Sequence, residues 1–444
     1  MKTTKIFFMA ALALTLAACS NDDNDLQTLA QQPAEQAQGI PFTATISVGE
    51  SGTTRALSED GNKLVATWAE GEKVALLHGL TPAEFACEEM TVTSVNGGVA
   101  TITGTITGSP KNGEVVTLIY PYSAANGATG NVKASLLKQQ EGTLEAVSEK
   151  YDVRKGTGTL KVDGTATLDG NVSLTNQFAI WKLTIPTSKN LCIFAGSEPI
   201  VGATLASEGA DFYVAVPVFT DQTVSIYSSD ASNNCYHYTR SGVSLQAGKY
   251  YRSSLTTSDM PKLGTDPASI YRMTGAGTIP NNCTAVLSGV SIDGASIVCD
   301  GNAGIILLGN NSITPGIQDA AIRVSSGKTL TINGTGRLTA YGRTSSAAIG
   351  SSNDDHCGNI CIYGGTIYAQ GDGKAGGIGS GWGGSCGNIT ITSGVIKVTA
   401  VKGGDATYSI GKAYDKWGEY SCGDVIIGGV NTGQISTSPY VYQP

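Results

Sequence analysis

The feature that most constrains this chain is a repeat in its last third. Ile349-Gly350-Ser351-Ser352, Ile378-Gly379-Ser380-Gly381 and Ile410-Gly411-Lys412-Ala413 are equivalent. So are Cys357-Gly358-Asn359-Ile360, Cys386-Gly387-Asn388-Ile389 and Cys422-Gly423-Asp424-Val425, whose cysteines recur at offsets of 29 and then 36. A strand pair with Gly at its turn follows the first two: Ile360 to Ala369 around Gly364-Gly365, and Ile389 to Ala400 around Gly394. Leu330 to Ala340 is an earlier copy without the Cys, and looser copies begin near Val286 and Ile305. One such unit cannot bury an inward apolar face, whereas stacked units can, at about 4.8 Å per rung. The expectation is a right-handed parallel β-helix over 268–435. Ile349, Ile378 and Ile410 would form an internal aliphatic stack. Asn359, Asn388 and Asp424 would form a polar ladder, each side chain serving its neighbour's backbone. Cys357, Cys386 and Cys422 would stack as well. Neighbouring rungs permit one disulfide but do not guarantee its Cβ geometry, so the expectation is a ladder of buried thiols.

Composition changes near Pro261, after which 35 of the 58 glycines fall. Upstream the text is short alternating runs bounded by Gly, Asn, Asp and Ser, such as Phe42 to Ile46 and Val115 to Tyr120, which reads as strands and turns. Lys133 to Val153 is the best helix candidate, with unconvincing length and caps. Charged residues are 14% of the chain and the net charge is −8 without a basic run, which excludes a partner bound through its phosphates, such as nucleic acid. Ten cysteines without a CxxC read mostly as small buried hydrophobes.

The first residues carry an address. Lys2 and Lys5 precede an apolar run, Ile6 to Ala18, that is too short to span a membrane. It ends in Leu16-Ala17-Ala18-Cys19, which resembles the lipobox of bacterial lipoproteins. The resemblance implies a signal peptide over 1–18, lipidation of Cys19, and a tether over 19–39. The acidic stretch Ser20 to Asp25 resembles a surface-export signal. Together these imply a lipid-anchored protein, surface-exposed on the outer membrane, whose only hold on the membrane is its lipid.

Between the tether and the repeat, several motifs occur in order: Thr54-Arg55-Ala56, Thr67-Trp68-Ala69-Glu70-Gly71-Glu72-Lys73-Val74, Phe178-Ala179-Ile180-Trp181-Lys182-Leu183, and Leu245-Gln246-Ala247-Gly248-Lys249-Tyr250-Tyr251. They resemble fimbrillin-like (Mfa-like) pilins of type V pili. The resemblance implies an all-β chain of two tandem transthyretin-like β-sandwiches, over 40–155 and 156–257. A linker over 258–267, the β-helix and a tail over 436–444 would follow. Trp68 and Trp181 would each fill a core. The resemblance also implies that an Arg-specific protease can cut after Arg55, before Ala56, and free the first strand. A neighbouring pilin subunit would then fill the groove by strand exchange. Only Tyr440-Val441-Tyr442 remains as a terminal donor strand.

Nothing in the chain reads as an enzyme. Its three histidines, His78, His237 and His356, are far apart, and no G-x-S-x-G or H-E-x-x-H occurs. The repeat resembles carbohydrate-binding β-helix domains of pectate-lyase architecture, whose lyases use Asp-bound calcium. No cofactor is required on this reading. Calcium is the one ion the loops could take, with Asp372, Asp405 and Asp415 as its ligands. Stacked loops would align Trp382, Tyr414 and Trp417 with Asp354, Asp355 and His356, aromatic faces beside acceptors, as a site for a host or microbial glycan or a protein ligand. The resulting function is a pilus-tip or accessory adhesin of the cell surface or fimbrium. The alternative is a glycan-binding or glycan-degrading surface lipoprotein of a polysaccharide-uptake system.

Overall fold

The computed structural model describes residues 39–48, 58–60, 63–65, 68–79, 85–127, 129–133, 135–415 and 418–444. Strands take 55% of the described residues and helix 4%, so the protein is all-β as expected. The helix candidate breaks into short pieces. A 3₁₀ turn at Leu136–Lys138 is followed by one α turn, Leu144–Ala146, capped by the Thr143 hydroxyl, and a π turn, Val147–Tyr151.

The first body is built round Ile40–Val48. This strand pairs antiparallel with Val99–Ile106 on one side and parallel with Thr165–Leu168 and Val172–Asn176 on the other. From there the hydrogen bonding continues through Arg154–Asp163, Val115–Tyr120, Lys73–His78 and Ala86–Asn96, and returns to Val99–Ile106. The ring therefore closes on itself. This corrects the boundary at 155, because the three strands between 154 and 176 belong to the first body. One physical reason is at Gly156, where a Cβ would press on the side chain of Leu174 and the carbonyl of Ser173, so only glycine lets the strands meet. Phe42, Ala44 and Ile46 alternate inward beside Trp68, Leu76 and Ile102. Trp68 meets Tyr120 edge-on at 5.0 Å.

The second body begins at Ala179. Its two longest strands, Ala179–Ala195 and Glu198–Val216, pair along most of their length, with register shifts between Thr184 and Asn190. Beyond the shift the first of them serves Phe219–Ser229, and before it Tyr250–Ser254. Trp181 lies in this core and donates its indole N–H to Ser253 at 3.1 Å.

From Gly277 to Ile427, strands recur in strict rotation on three parallel sheets. One sheet stacks Cys283–Ser288, Ala303–Leu308, Thr329–Gly334, Asn359–Ile362, Ile389–Ile391 and Val425–Ile427. A second includes Asn310–Thr314, Arg337–Tyr341, Thr366–Gln370 and Lys397–Val401, and a third Ile322–Val324, Ile349–Gly350, Ile378–Gly379 and Ile410–Gly411. The register puts Ile322, Ile349, Ile378 and Ile410 in one column, and each is fully buried. Each contributes about 1.5–3 kcal/mol of apolar burial. The polar ladder is present: Asn388 N–H donates to Asn359 Oδ1 at 2.8 Å, and Asp424 N–H to Asn388 Oδ1 at 2.9 Å. The cysteine column differs from the thiol ladder expected. Cys386 and Cys422 form a disulfide with Cα atoms 4.5 Å apart, and Cys357, one rung below, is a buried free thiol.

Two segments flanking the coil are docked. The segment 258–267 is docked and does not hang free. Met260 is buried in the second core, Leu263 N–H bonds Cys235 O at 2.8 Å, and His237 N–H bonds Pro261 O at 3.3 Å. The second body is in turn fastened to the coil. Cys192, Phe194 and Tyr227 pack on Val286, Ile306 and Leu308, and Ser288 donates to Ser229 at 2.9 Å. The last residues of the chain, from Val430 on, fold back on the coil, and the strand expected at Tyr440–Tyr442 is present. Tyr440–Tyr442 pairs antiparallel with Lys397–Val401, Val430–Asn431 with Val425–Ile427, and Ile435 with Ile410. These antiparallel pairings blunt the exposed last rung, which would otherwise invite another chain.

Candidate functional site

The turns that follow Ile349–Gly350, Ile378–Gly379 and Ile410–Gly411 must stack, because the strands that launch them stack. Buried serines lock the turns together. Ser351 Oγ donates to Asp355 O at 2.8 Å and accepts from Gly381 N–H at 2.9 Å; Ser380 Oγ donates to Gly384 O at 2.8 Å and accepts from Ala413 N–H at 2.9 Å.

Trp382 stands at the centre of this edge, half-buried. Its carbonyl accepts from Asp354 N–H at 2.6 Å, and its N–H donates to Ser345 O at 2.8 Å across the third sheet. The Lys374 ammonium lies 4.0 Å from the Trp382 ring centroid, a cation–π contact. Lys374 O also accepts from Tyr414 N–H at 2.9 Å, and the Tyr414 side chain is 37% exposed. The structure thus brings Trp382, Asp354 and Tyr414 together, with Lys374 as the tie between the two aromatics. One face of the indole is taken by Lys374 and so is closed to a stacking ligand.

The remaining expected residues are spread along the edge. His356 Nδ1 accepts from Ser385 N–H at 2.9 Å, and its ring tilts towards Tyr420 at 6.4 Å. Asp355 accepts the His356 N–H at 3.0 Å. Asp415 is turned inward, accepting from the N–H groups of Gly418, Glu419 and Tyr420 and from Lys412 Nζ at 3.1 Å. Burial alone would raise its carboxyl. The Tyr420 N–H, Lys412 and the N–H groups of Glu419 and Gly418 outweigh burial and hold it well below the usual carboxylate range. Asp372 accepts from Thr344 N–H at 2.7 Å and Gly373 N–H at 2.8 Å, and Asp405 is exposed. Among the described residues no three His, Cys, Asp or Glu side chains gather where they could hold a metal ion. The expected calcium set of Asp372, Asp405 and Asp415 is therefore not assembled. Trp417, Arg55, Ala56 and Cys19 lie outside the described residues.

Sequence reasoning missed a groove on the second sheet, where Tyr341, Arg343 and Gln370 line a cavity of about 570 Å³. The signal was available: Thr314, Tyr341 and Gln370 end successive copies of one strand.

No protein-family model matches the sequence, and no curated protein matches it. Among solved structures, a fimbrial protein from Bacteroides ovatus ATCC 8483 is similar at 12% identity and a TM-score of 0.28, over 49% of this chain and 50% of that one. A proposed cell adhesion protein from Bacteroides uniformis ATCC 8492 is similar at 11% identity and a TM-score of 0.28, over 52% and 97%. Another from Bacteroides fragilis NCTC 9343 is similar at 12% identity and a TM-score of 0.30, over 49% and 92%. This chain therefore spans half of the fimbrial protein and nearly all of the other two. Likeness this weak leaves fold and function to be argued from the chain's own geometry.

Proposed function

We propose that this chain is a lipid-anchored, surface-exposed subunit of a fimbria-like fibre that works by adhesion and not by catalysis. The coil, read as a right-handed parallel β-helix, is its recognition domain. The observation that carries this reading is the seat of Ile40–Val48. The strand is hydrogen-bonded on both edges, and Phe42, Ala44 and Ile46 are 1%, 7% and 0% exposed. Its connection to the next described strand runs through Arg55-Ala56. A cut there would make the strand separable together with the lipidated N-terminal segment, so the chain would be anchored until cut and released from its lipid by the cut; loss of the strand would open an apolar slot with two unpaired edges, which is the geometry β-augmentation fills. At the other end Tyr440–Tyr442 is held on the coil. The chain on this reading accepts a neighbour's strand without offering that one, which favours a tip or accessory place.

The test is expression of the full chain in a bacterium that has lipoprotein export and an Arg-specific surface protease. The reading expects surface labelling that Cys19→Ala abolishes, and a high-mass, heat-labile ladder that Arg55→Ala abolishes. A chain that stays monomeric and inaccessible from outside with Arg55 intact would overturn it.

A further inference from the structure

The second body keeps a cleft of about 470 Å³ that neither the fibre reading nor the coil uses. It lies between two strands of one sheet, Cys235–Leu245 and Tyr250–Ser254. Tyr250–Ser254 pairs with Ala179–Ala195 on one edge, and Cys235–Leu245 with Phe219–Ser229 on one edge. Among the described residues the facing edges are not joined by a strand; only the bridge of Tyr236 to Lys262 closes one end. Buried Leu183, Val224 and Ile226 form the floor, and half-buried Tyr238, Val243 and Tyr251 the walls.

The lining is apolar and its polar atoms are taken. The Trp181 indole N–H is held by Ser253 Oγ at 3.1 Å, and the Tyr251 hydroxyl accepts from Gln246 N–H at 3.0 Å. No acidic side chain lines the cleft, although the chain has a net charge of −8. One cation faces in. Tyr236 and Tyr238 pack on the core, and the same alternation puts Arg240 on their face, directly opposite Val224. Arg240 is exposed at the mouth. Arg252 lines the cleft from the other strand, where Tyr251 and Ser253 hold the inward positions. Just past Arg240 its strand bulges. Arg240 faces Val224 and Val243 faces Gln222, so Ser241 and Gly242 together oppose Thr223, and Gly242 takes φ +74°. A bulge bends the strand and breaks the edge that a continuous added strand would need.

We propose that this cleft is a binding site for a fatty carboxylate, its alkyl chain on the apolar floor and its carboxylate on Arg240. The planar guanidinium fork takes a carboxylate bidentately. A phosphate monoester would bring about −1.5 to −2 charges to a single inward cation. A sugar would lose the water on its hydroxyls over an aliphatic floor that offers no replacement bonds. An extended peptide would meet the bulge. The volume of about 470 Å³ falls within the roughly 300–1,000 Å³ of small-molecule sites. The cleft is separate from the Ile40–Val48 strand and from the coil, so the proposal does not rest on the fibre reading.

The test is isothermal titration of the full, uncut chain, below micelle-forming concentrations, with decanoate, hexanoate, decanol, decylammonium and a peptide of sequence 40–48. The proposal expects decanoate to bind one to one. Hexanoate should bind more weakly, by about three- to fourfold for each methylene it lacks. Decanol should bind about fivefold more weakly than decanoate, and decylammonium more weakly still. Arg240→Ala, at an exposed position that leaves the fold intact, should bring decanoate down to the affinity of decanol and leave decanol unchanged. Val243→Trp, which fills the cleft, should weaken decanoate and decanol alike, and Trp382→Ala on the coil should change neither. Affinity for decanoate alone should fall as salt rises. Equal binding of the three ten-carbon probes, uptake of several decanoates that Arg240→Ala does not alter, binding of the peptide in place of decanoate, or silence towards all five would each overturn the proposal. Strand exchange at Ile40–Val48 does not involve these residues, so failure here and failure of the fibre reading are separately visible.

Discussion

Gly379→Ala is the sharpest probe of the stacked coil. Gly379 has φ +132°, a conformation that side-chain-bearing residues rarely adopt, and a Cβ there would lie inside the van der Waals radius of the Gly411 carbonyl oxygen one rung above. The strained backbone costs about 1–3 kcal/mol. The oxygen cannot rotate away, because it accepts from Ser380 N–H at 3.1 Å and sits in the Ile378–Ile410 ladder. Relief requires the rungs to part. Loss of two ladder hydrogen bonds adds about 1 kcal/mol each, for a total of about 3–5 kcal/mol. Gly327→Ala is the control: its φ is +73°, but nothing lies within 4 Å of the added Cβ, so about 1–2 kcal/mol is expected. Hydrogen–deuterium exchange of the full chain reads both. Protection over 378–380 and 410–411 should fall by two to three orders of magnitude in Gly379→Ala, at about 1.4 kcal/mol per tenfold. In Gly327→Ala those segments should hardly change. Equal, small losses in the two variants would refute the stacking argument.

Other outcomes follow from other contacts. Ile306→Asp buries an unpaired charge between the second body and the coil; it should make the chain cleavable near 258–270 by a protease that spares the wild type. The lowered Asp415 carboxyl stabilises its bonds to Gly418, Glu419 and Tyr420 above the unfolded value of about 3.9 and stops doing so as pH falls through its folded value. Exchange protection in that turn should therefore hold at pH 5 and fail in strong acid, and Asp415→Asn should lower it at neutral pH. Cys422→Ser should loosen 412–424 while leaving 349–391 protected, since the disulfide joins only the last two cysteine rungs; peptide mapping under non-reducing conditions checks the pairing.

Most of the coil was legible because stacking forces equivalence. Ile349, Ile378 and Ile410 face inward at the same point of each rung, so sequence copies that point, and the Asn359–Asn388–Asp424 ladder repeats for the same reason. The boundary at 155 was not legible. Arg154–Asp163 alternates like any strand, and only its long-range partners, Val115–Tyr120 and Thr165–Leu168, assign it to the first body. The 258–267 segment has the Pro and Asp of a linker, yet Met260 finds a core. At the loop edge the pattern pointed to Trp382 and Tyr414. It could not show that Lys374 covers one indole face, because that contact joins turns on opposite sides of a sheet. Tyr341 and Arg343 were not legible because the cavity they line is formed at the ends of strands whose alternation looks like that of any other strand.

The central claim is that Ile40–Val48 is an exchangeable strand. The direct measurement is native mass spectrometry of the full chain after cleavage at Arg55, incubated with an isotope-labelled peptide of sequence 39–50. The account predicts that the cut chain slowly takes up one labelled peptide and releases one unlabelled N-terminal fragment, that uncut chain takes up none, and that a peptide carrying Ile46→Asp is refused. Cut chain that keeps its own strand through prolonged incubation with excess peptide, or uncut chain that binds the peptide equally well, would contradict it.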